Sequence, residues 1–495
     1  MAHPTVEQQV VRILDETSAR TVSVILQGVP PGLAEAVRDA ARSAQRTRSI
    51  TRARALLPAR APRARGAEAP AAQREHDVAA IRRAGDEALR PVERSSFIGT
   101  SRLARRSDTR GRPRLLRLAG AAVLEMDRDD LARLPAELPA AMAVYPNRRI
   151  VVPPRMRSVE VPPSVSRRAT HAWGLEHTGA LACWGSFGAR GQGVRIAVLD
   201  TGVNAAHPDL AGKVSRFAEF DAKGRIVREG VAKARDDDGH GTHVCGTLVG
   251  GRESGRWIGM APEARLHVAK VLGKSGGTDE QILAGMEWAV AGGADIINMS
   301  LGALSFEPDV LDTYSAAIVA ARSAGIPVVV SIGNDGAQVT GSPGNDLFAL
   351  AVGASDVADC IAAFSGGRTQ VIEKSKVIDA KDLPFIYSKP DLCAPGVDVY
   401  SCAGAKGWAY ESGSSMAAPH AAGAAALLLS RMAGQPESAL RALPGFERTE
   451  AIHDLLNGSV QELGENGQDH RYGWGRLDVL SAYANAVELG FIAVA

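Results

Sequence analysis

The chain has 495 residues, enough for two or three domains and a large buried core. Its 57 basic and 55 acidic residues leave a formal charge of +2, which singles out no partner, although arginine is concentrated between Arg42 and Arg117. No apolar run is long enough to span a bilayer, and the five cysteines are odd in number, scattered and never spaced as CxxC, which excludes a disulfide framework or a zinc ribbon and favours a reducing compartment.

Residues 1–20 lack an apolar h-region and carry Glu7, Asp15 and Glu16; they read as a short polar helix or tail, not a signal peptide, and a cytoplasmic location is expected. Thr21 to Gln27 has strand spacing and is closed by Gly28 and the prolines at 30–31. A helix follows near Leu33 to Ser43. Arg46 to Ala72 is rich in Ala, Arg and Pro with few large apolar residues, so it is expected to be disordered. Helical spacing returns over Gln73 to Leu89. Arg114 to Met126 reads as two strands broken at Gly120, Asp129 to Leu134 as a short helix, and Ala141 to Tyr145 and Arg149 to Val152 as strands. That order gives a split βαβ unit over 21–152, a small α+β domain. Prolines at 153–154 and 162–163 mark a linker, 153–169.

From Gly193 the character changes. Val194 to Leu199 is a nearly continuous apolar strand, as in a parallel sheet buried on both faces, and similar runs recur at 266–272, 295–299, 326–332 and 348–352. Helical stretches at 279–291 and 309–323 lie between them. The expected architecture over 170–490 is therefore α/β, a doubly wound, mostly parallel sheet. Arg368 to Ser388 breaks the rhythm with mixed charge and reads as a surface insertion.

Four segments stand where open α/β sheets gather their chemistry, beyond the carboxyl ends of strands. Asp200 ends the first strand. Asp236-Asp237-Asp238-Gly239-His240-Gly241-Thr242-His243 opens a helix of small residues; His240 and His243 lack the HExxH pattern of a zinc protease. Asn334 follows the strand Val328 to Ile332. Gly413-Ser414-Ser415-Met416-Ala417-Ala418-Pro419-His420 begins an apolar helix, which sets Ser415 beside unpaired N–H groups and the positive dipole end. A serine there can attack a carbonyl if a base takes its proton. Each segment alone has an ordinary structural reading as a cap or turn; together they are hard to explain that way.

In the chain order Asp, His, Asn, Ser these segments resemble the subtilisin family of serine proteases. His207-Pro208-Asp209-Leu210, Ser300-Leu301-Gly302, Lys389-Pro390-Asp391, Ala394-Pro395-Gly396 and Tyr472-Gly473-Trp474-Gly475 extend the resemblance over roughly 170–488. Ser414 stands where threonine is usual, and Cys245, where alanine is common, reads as a small buried hydrophobe. The resemblance implies Ser415 as nucleophile, His240 as general base and then acid, Asp200 as its orienting partner, and Asn334 as oxyanion donor. It implies that Ser300, Leu301 and Gly302 pair an extended polypeptide substrate, and that Gly341 lies at the base of the primary specificity pocket, favouring large apolar residues. No cofactor is required for such chemistry. Many relatives bind calcium, and Asp209 with the loop Arg252-Glu253-Ser254-Gly255 is the candidate, which Arg252 and Arg256 weaken.

The N-terminal unit resembles the family's inhibitory propeptide, above all in the strands after Arg114 and in Tyr145-Pro146-Asn147. That resemblance implies a self-processed precursor whose own N-terminal domain blocks the cleft, with Val151 to Arg168 extended through it. Two other readings stay open: a ligase that uses the same triad for peptide transfer, and polyanion binding by the arginine-rich segment. The absence of interleaved aromatics and of any nucleic-acid motif weighs against the second.

Overall fold

A computed structural model describes residues 6–28, 33, 35–39, 70–94, 113–138, 142–152, 154–162, 168–305, 311–373, 375, 377–431 and 437–493. The segment expected to be disordered lies outside these residues from 46 to 69; its last three residues open a helix, Pro70–Arg94. The helix expected near 33–43 is described only at 33 and 35–39.

The N-terminal part forms a four-stranded antiparallel sheet with Thr21–Gly28 in the middle, paired to Ala121–Asp127 on one side and Met142–Pro146 on the other. Arg114–Leu116 forms the far edge and leads into Ala121–Asp127 through a turn at Gly120, whose φ of 56° suits a residue without a β-carbon. Val22, Val24 and Leu26 point to one face, and there they join Val6, Val10 and Ile13 of the helix Val6–Glu16 in one core. Of the two readings for this stretch, helix or tail, residues 6–16 take the helix, and it is not polar on every side. Their valines and isoleucine recur at helical spacing and close one face of the sheet. Ile25, Leu116, Ala121 and Val123 lie on the other face, in a core shared with the helices Asp279–Ala291 and Ser315–Ser323.

The C-terminal part is built on an eight-stranded sheet. Arg195–Asp200 lies inside it, between Ile296–Met299 and Arg265–Lys270. Val328–Ser331, Leu350–Ser355 and Leu392–Pro395 extend the sheet on one side, and Val214–Phe220 and Ile226–Glu229 on the other. All neighbouring pairs run parallel except the edge strand Ile226–Glu229, which is antiparallel and exposed. The alternation of the pleat shows in the two cores. Ile196 and Val198 belong to the core that holds the helices His240–Val249 and Ser414–Leu428, while Ala197 and Leu199 face the core of the 279–291 and 315–323 helices. Helices on both faces of a parallel sheet bear out the expected α/β class.

Two segments differ from their expected placement. Arg149–Ile150 is not a strand of the small sheet; it pairs antiparallel with Gly277–Thr278 of the C-terminal part. Residues 368–388 form an antiparallel pair, Arg368–Ile372 with Phe385–Lys389, whose Ile372, Phe385 and Tyr387 are buried in the sheet's core. Its exposed positions carry the polar residues that made it read as a surface insertion.

Candidate active site

Asp200 is the last residue of the central strand and is fully buried. Its Oδ1 lies 2.7 Å from His240 Nδ1 and accepts the Thr201 N–H at 2.7 Å. His240 is the first residue of its helix, after Gly239 at φ 98°. The run of aspartates before it has work to do. Asp236 accepts the N–H groups of Asp238, Gly239 and Thr242 and the hydroxyls of Thr201 (2.8 Å) and Thr242 (2.7 Å), which fastens this turn to the end of the Asp200 strand. Burial alone would lower the pKa of His240; the charge and hydrogen bond of Asp200, helped by Glu411, outweigh it and hold the pKa above the ordinary imidazole value.

Ser415 is the second residue of the helix Ser414–Leu428, which packs on the His240 helix. Pro419 cannot donate to the carbonyl four residues earlier, that of Ser415, and the Ser300 hydroxyl takes this carbonyl at 3.0 Å. The proline thus frees an acceptor that ties the Ser300 strand end to the Ser415 turn. Ser415 Oγ and His240 Nε2 are both buried and neither has a hydrogen-bond partner among the described residues. Unpaired buried polar atoms are costly, and each of the two marks a group left free for a ligand or a reaction.

Asn334 follows the strand Val328–Ser331. Its Oδ1 accepts the Ser414 N–H and hydroxyl, both at 2.8 Å, leaving the amide Nδ2 to donate outward. A β-carbon on Gly413 would stand 3.3 Å from that Nδ2, so the glycine leaves the amide its room. The group that Nδ2 meets is the Pro154 carbonyl, at 3.3 Å. Around this point the chain's own segment lies as an added strand. Ile150 pairs with Gly277, Val151 bridges Gly302, the Met156 N–H reaches the Ser412 carbonyl at 3.0 Å, and Arg157–Glu160 pairs with Gly407–Ser412 just before Ser415.

Leu301 is buried, and Gly341 sits in a short strand paired with Ala303–Ser305. A β-carbon at 341 would meet nothing nearer than the Ile332 carbonyl at 3.4 Å. His243 is no part of a metal pair: its Nε2 donates to the Val399 carbonyl at 3.1 Å, and burial lowers its pKa. Cys245 is buried, and burial raises its thiol well above the ordinary value.

Asp209 does not offer a calcium cage. Its Oδ1 accepts the Glu253 N–H at 2.7 Å and its Oδ2 the Trp408 indole N–H at 2.8 Å, so the loop 252–255 presents a donor where a cation needs acceptors. His207 and Cys402 lie near it, but both ring nitrogens of His207 are already engaged with the backbone. The residues present do not fit the ion.

The sequence alone did not point to Gly277 or Glu411 as parts of this cleft, and it placed Arg155 there only as one residue of the extended segment Val151 to Arg168. The glycine pair before the 279–291 helix was the available signal for the first. The pairing of Arg155 with Glu411 arises only through tertiary structure.

Comparison with known proteins places these observations. Residues 191–475 match the model of the subtilase family. Subtilisin Savinase from Lederbergia lenta is 37% identical over 257 residues, 52% of this chain and 83% of that protein. An alkaline protease from Alkalihalobacillus alcalophilus is also 37% identical over 257 residues, 59% of its length, and the alkaline elastase YaB of a Bacillus species is 35% identical over 276 residues, 64% of its length. These relatives correct one expectation. They are secreted extracellular subtilisins, so the scattered cysteines and polar N-terminus do not indicate a cytoplasmic enzyme. No helix among the described residues is long and apolar enough to cross a membrane. Catalysis in the family needs no cofactor, and its substrates are polypeptides. With a family match over more than half its length and relatives at this identity, the chain belongs to the subtilase family and is a serine endopeptidase.

Proposed function

We propose that Ser415, His240, Asp200 and Asn334 carry the peptidase chemistry, and that residues 1–152 with the linker 153–169 hold the enzyme as an inhibited precursor that processes itself. Ser415 Oγ attacks the substrate carbonyl carbon while His240 Nε2 takes the hydroxyl proton. Asp200 Oδ1 keeps Nδ1 protonated and stabilises the imidazolium that forms. The oxyanion receives the Asn334 amide and the Ser415 backbone N–H. When the intermediate collapses, His240 passes its proton to the leaving amine; water then attacks the acyl-serine with His240 again as base. Ser300, Leu301 and Gly302 with Gly277 pair the extended substrate, and Gly341 leaves a deep pocket for a large apolar side chain before the scissile bond.

The observation that carries this reading is the Pro154 carbonyl on the Asn334 amide, within a segment paired on both sides like a bound substrate. It makes Pro154–Arg155 the bond presented for self-cleavage. The N-terminal part is fastened for this role by Asn147, whose Oδ1 caps the Glu280 N–H at 3.1 Å, and by Arg148, whose N–H and guanidinium bind Asp279 at 2.8 and 3.0 Å. Intact mass measurement of the wild type and Ser415→Ala tests it. The expected result is a wild type cut at 154–155 and an uncut variant; a variant cut at the same place would remove Ser415 from the mechanism.

A further inference from the structure

We propose that the leaving-group side of the cleft contains an acidic subsite, Asp238 with Glu411, that selects arginine immediately after the scissile bond. This rests on the assignment of Ser415 and Asn334 above. With the Pro154 carbonyl at Asn334, the next residue, Arg155, enters the position just beyond the bond to be cut. Its guanidinium Nη2 bonds to the Asp238 carboxylate and, at 3.0 Å, to the Asp238 carbonyl; its Nε lies 3.2 Å from Glu411 Oε2, a charge contact too bent to be a hydrogen bond.

The two carboxylates come from different elements. Asp238 stands two residues before His240 and also accepts the His240 N–H at 3.2 Å, while Glu411 lies on the strand that leads to Ser415. The Glu411 side chain is only 5% exposed. Its other oxygen accepts the Ser158 hydroxyl at 3.2 Å, and Arg155 is the one cation paired with it among the described residues. Ser158 and Arg155 belong to the same segment, so its departure strips Glu411 of both. A substrate that covers Glu411 again without supplying a cation leaves a buried carboxylate unpaired, which is costly, and an arginine supplies the cation. A planar guanidinium can engage two carboxylates at once, which a single ammonium point does less well. The same contact holds the precursor's segment in place until it is displaced.

The test uses purified wild-type protein and three peptides that differ only after the cleaved bond: arginine, its neutral isostere citrulline, and glutamate. Arginine should be cut faster than citrulline by about tenfold or more, the scale expected when one partner of a buried charge pair is lost, and glutamate should be the slowest. The arginine-to-citrulline ratio should fall toward one in Glu411→Gln and in Asp238→Asn. Equal rates for all three peptides in the wild type would overturn the subsite while leaving the peptidase reading intact. A second measurement does not depend on catalysis. In full-length Ser415→Ala protein, Glu411→Gln should speed amide exchange of Met156 and of the strand 157–160 by about tenfold. Unchanged protection would overturn the clamp.

Discussion

Arg148→Gln tests how the N-terminal part is held on the enzyme. Asp279 is fully buried, and Arg148 approaches it with Nε at 3.0 Å and Nη2 at 3.2 Å, besides its backbone N–H. The substitution removes the cation but leaves the backbone N–H and the Tyr314 hydroxyl, 2.6 Å from the other carboxylate oxygen. Breaking a fully buried pair costs about 3–5 kcal/mol. Two surviving donors and an arginine side chain that is 28% exposed reduce this to about 2–3 kcal/mol, or roughly 30- to 150-fold in affinity. Residues 1–154 include a core of their own, built from the helix Val6–Glu16 and one face of the small sheet, and can be prepared separately. The assay is inhibition of processed enzyme by this fragment, wild type against Arg148→Gln, with the circular dichroism of both recorded. A Ki unchanged within twofold, with the fragment folded, would refute the claim that this pair anchors the inhibitor.

Asn334→Leu should lower kcat by about 100- to 1000-fold with little change in KM, a magnitude known from a subtilisin rather than derived from this structure; steady-state kinetics on a peptide substrate decide it. Gly341→Val should depress cleavage after Phe or Leu far more than after Ala, because a β-carbon at 341 meets no atom nearer than 3.4 Å and so fills space without forcing the backbone; peptide profiling reads it. Burial pushes the Glu280 pKa up to about 7, with Arg114 opposing and Asp221 reinforcing the shift. Arg114 and Asn147 of the N-terminal part cover this carboxyl; the water they exclude raises its pKa by more than the Arg114 charge lowers it, so docking favours the protonated form. Inhibition by residues 1–154 should therefore be strongest below the ordinary glutamate range and weaken as pH rises through about 7, and Glu280→Gln should flatten that profile.

Much of this was legible in the sequence because the decisive features are local. Continuous apolar runs such as Val194 to Leu199 can only be strands covered on both faces, and Asp200, His240, Asn334 and Ser415 each sit at the junction of a strand or helix with a small-residue turn. What was not legible depends on partners distant in sequence. Arg149 and Ile150 have strand character, but nothing local says that Gly277–Thr278 takes them in place of the small sheet. The helix Val6–Glu16 looked polar because its apolar stripe is narrow, Val6, Val10 and Ile13, and only the sheet beneath it gives that stripe a purpose. Calcium at Asp209 was a matter of family habit, and the geometry there does not support it: Asp209 spends both oxygens on protein N–H groups. Location was misread because free cysteines, buried here at 183, 245, 393 and 402, record packing as readily as compartment.

The central claim, that Ser415 is the nucleophile set beside a His240 held by Asp200, is tested most directly by covalent labelling. Processed wild-type protein treated with a fluorophosphonate should gain one label, mapped by peptide mass spectrometry to Ser415, and lose activity in step with labelling. Asp200→Asn should label much more slowly, since the Nδ1 contact at 2.7 Å is what fixes the imidazole tautomer. A label found on another residue, or one that persists in Ser415→Ala, would contradict the account.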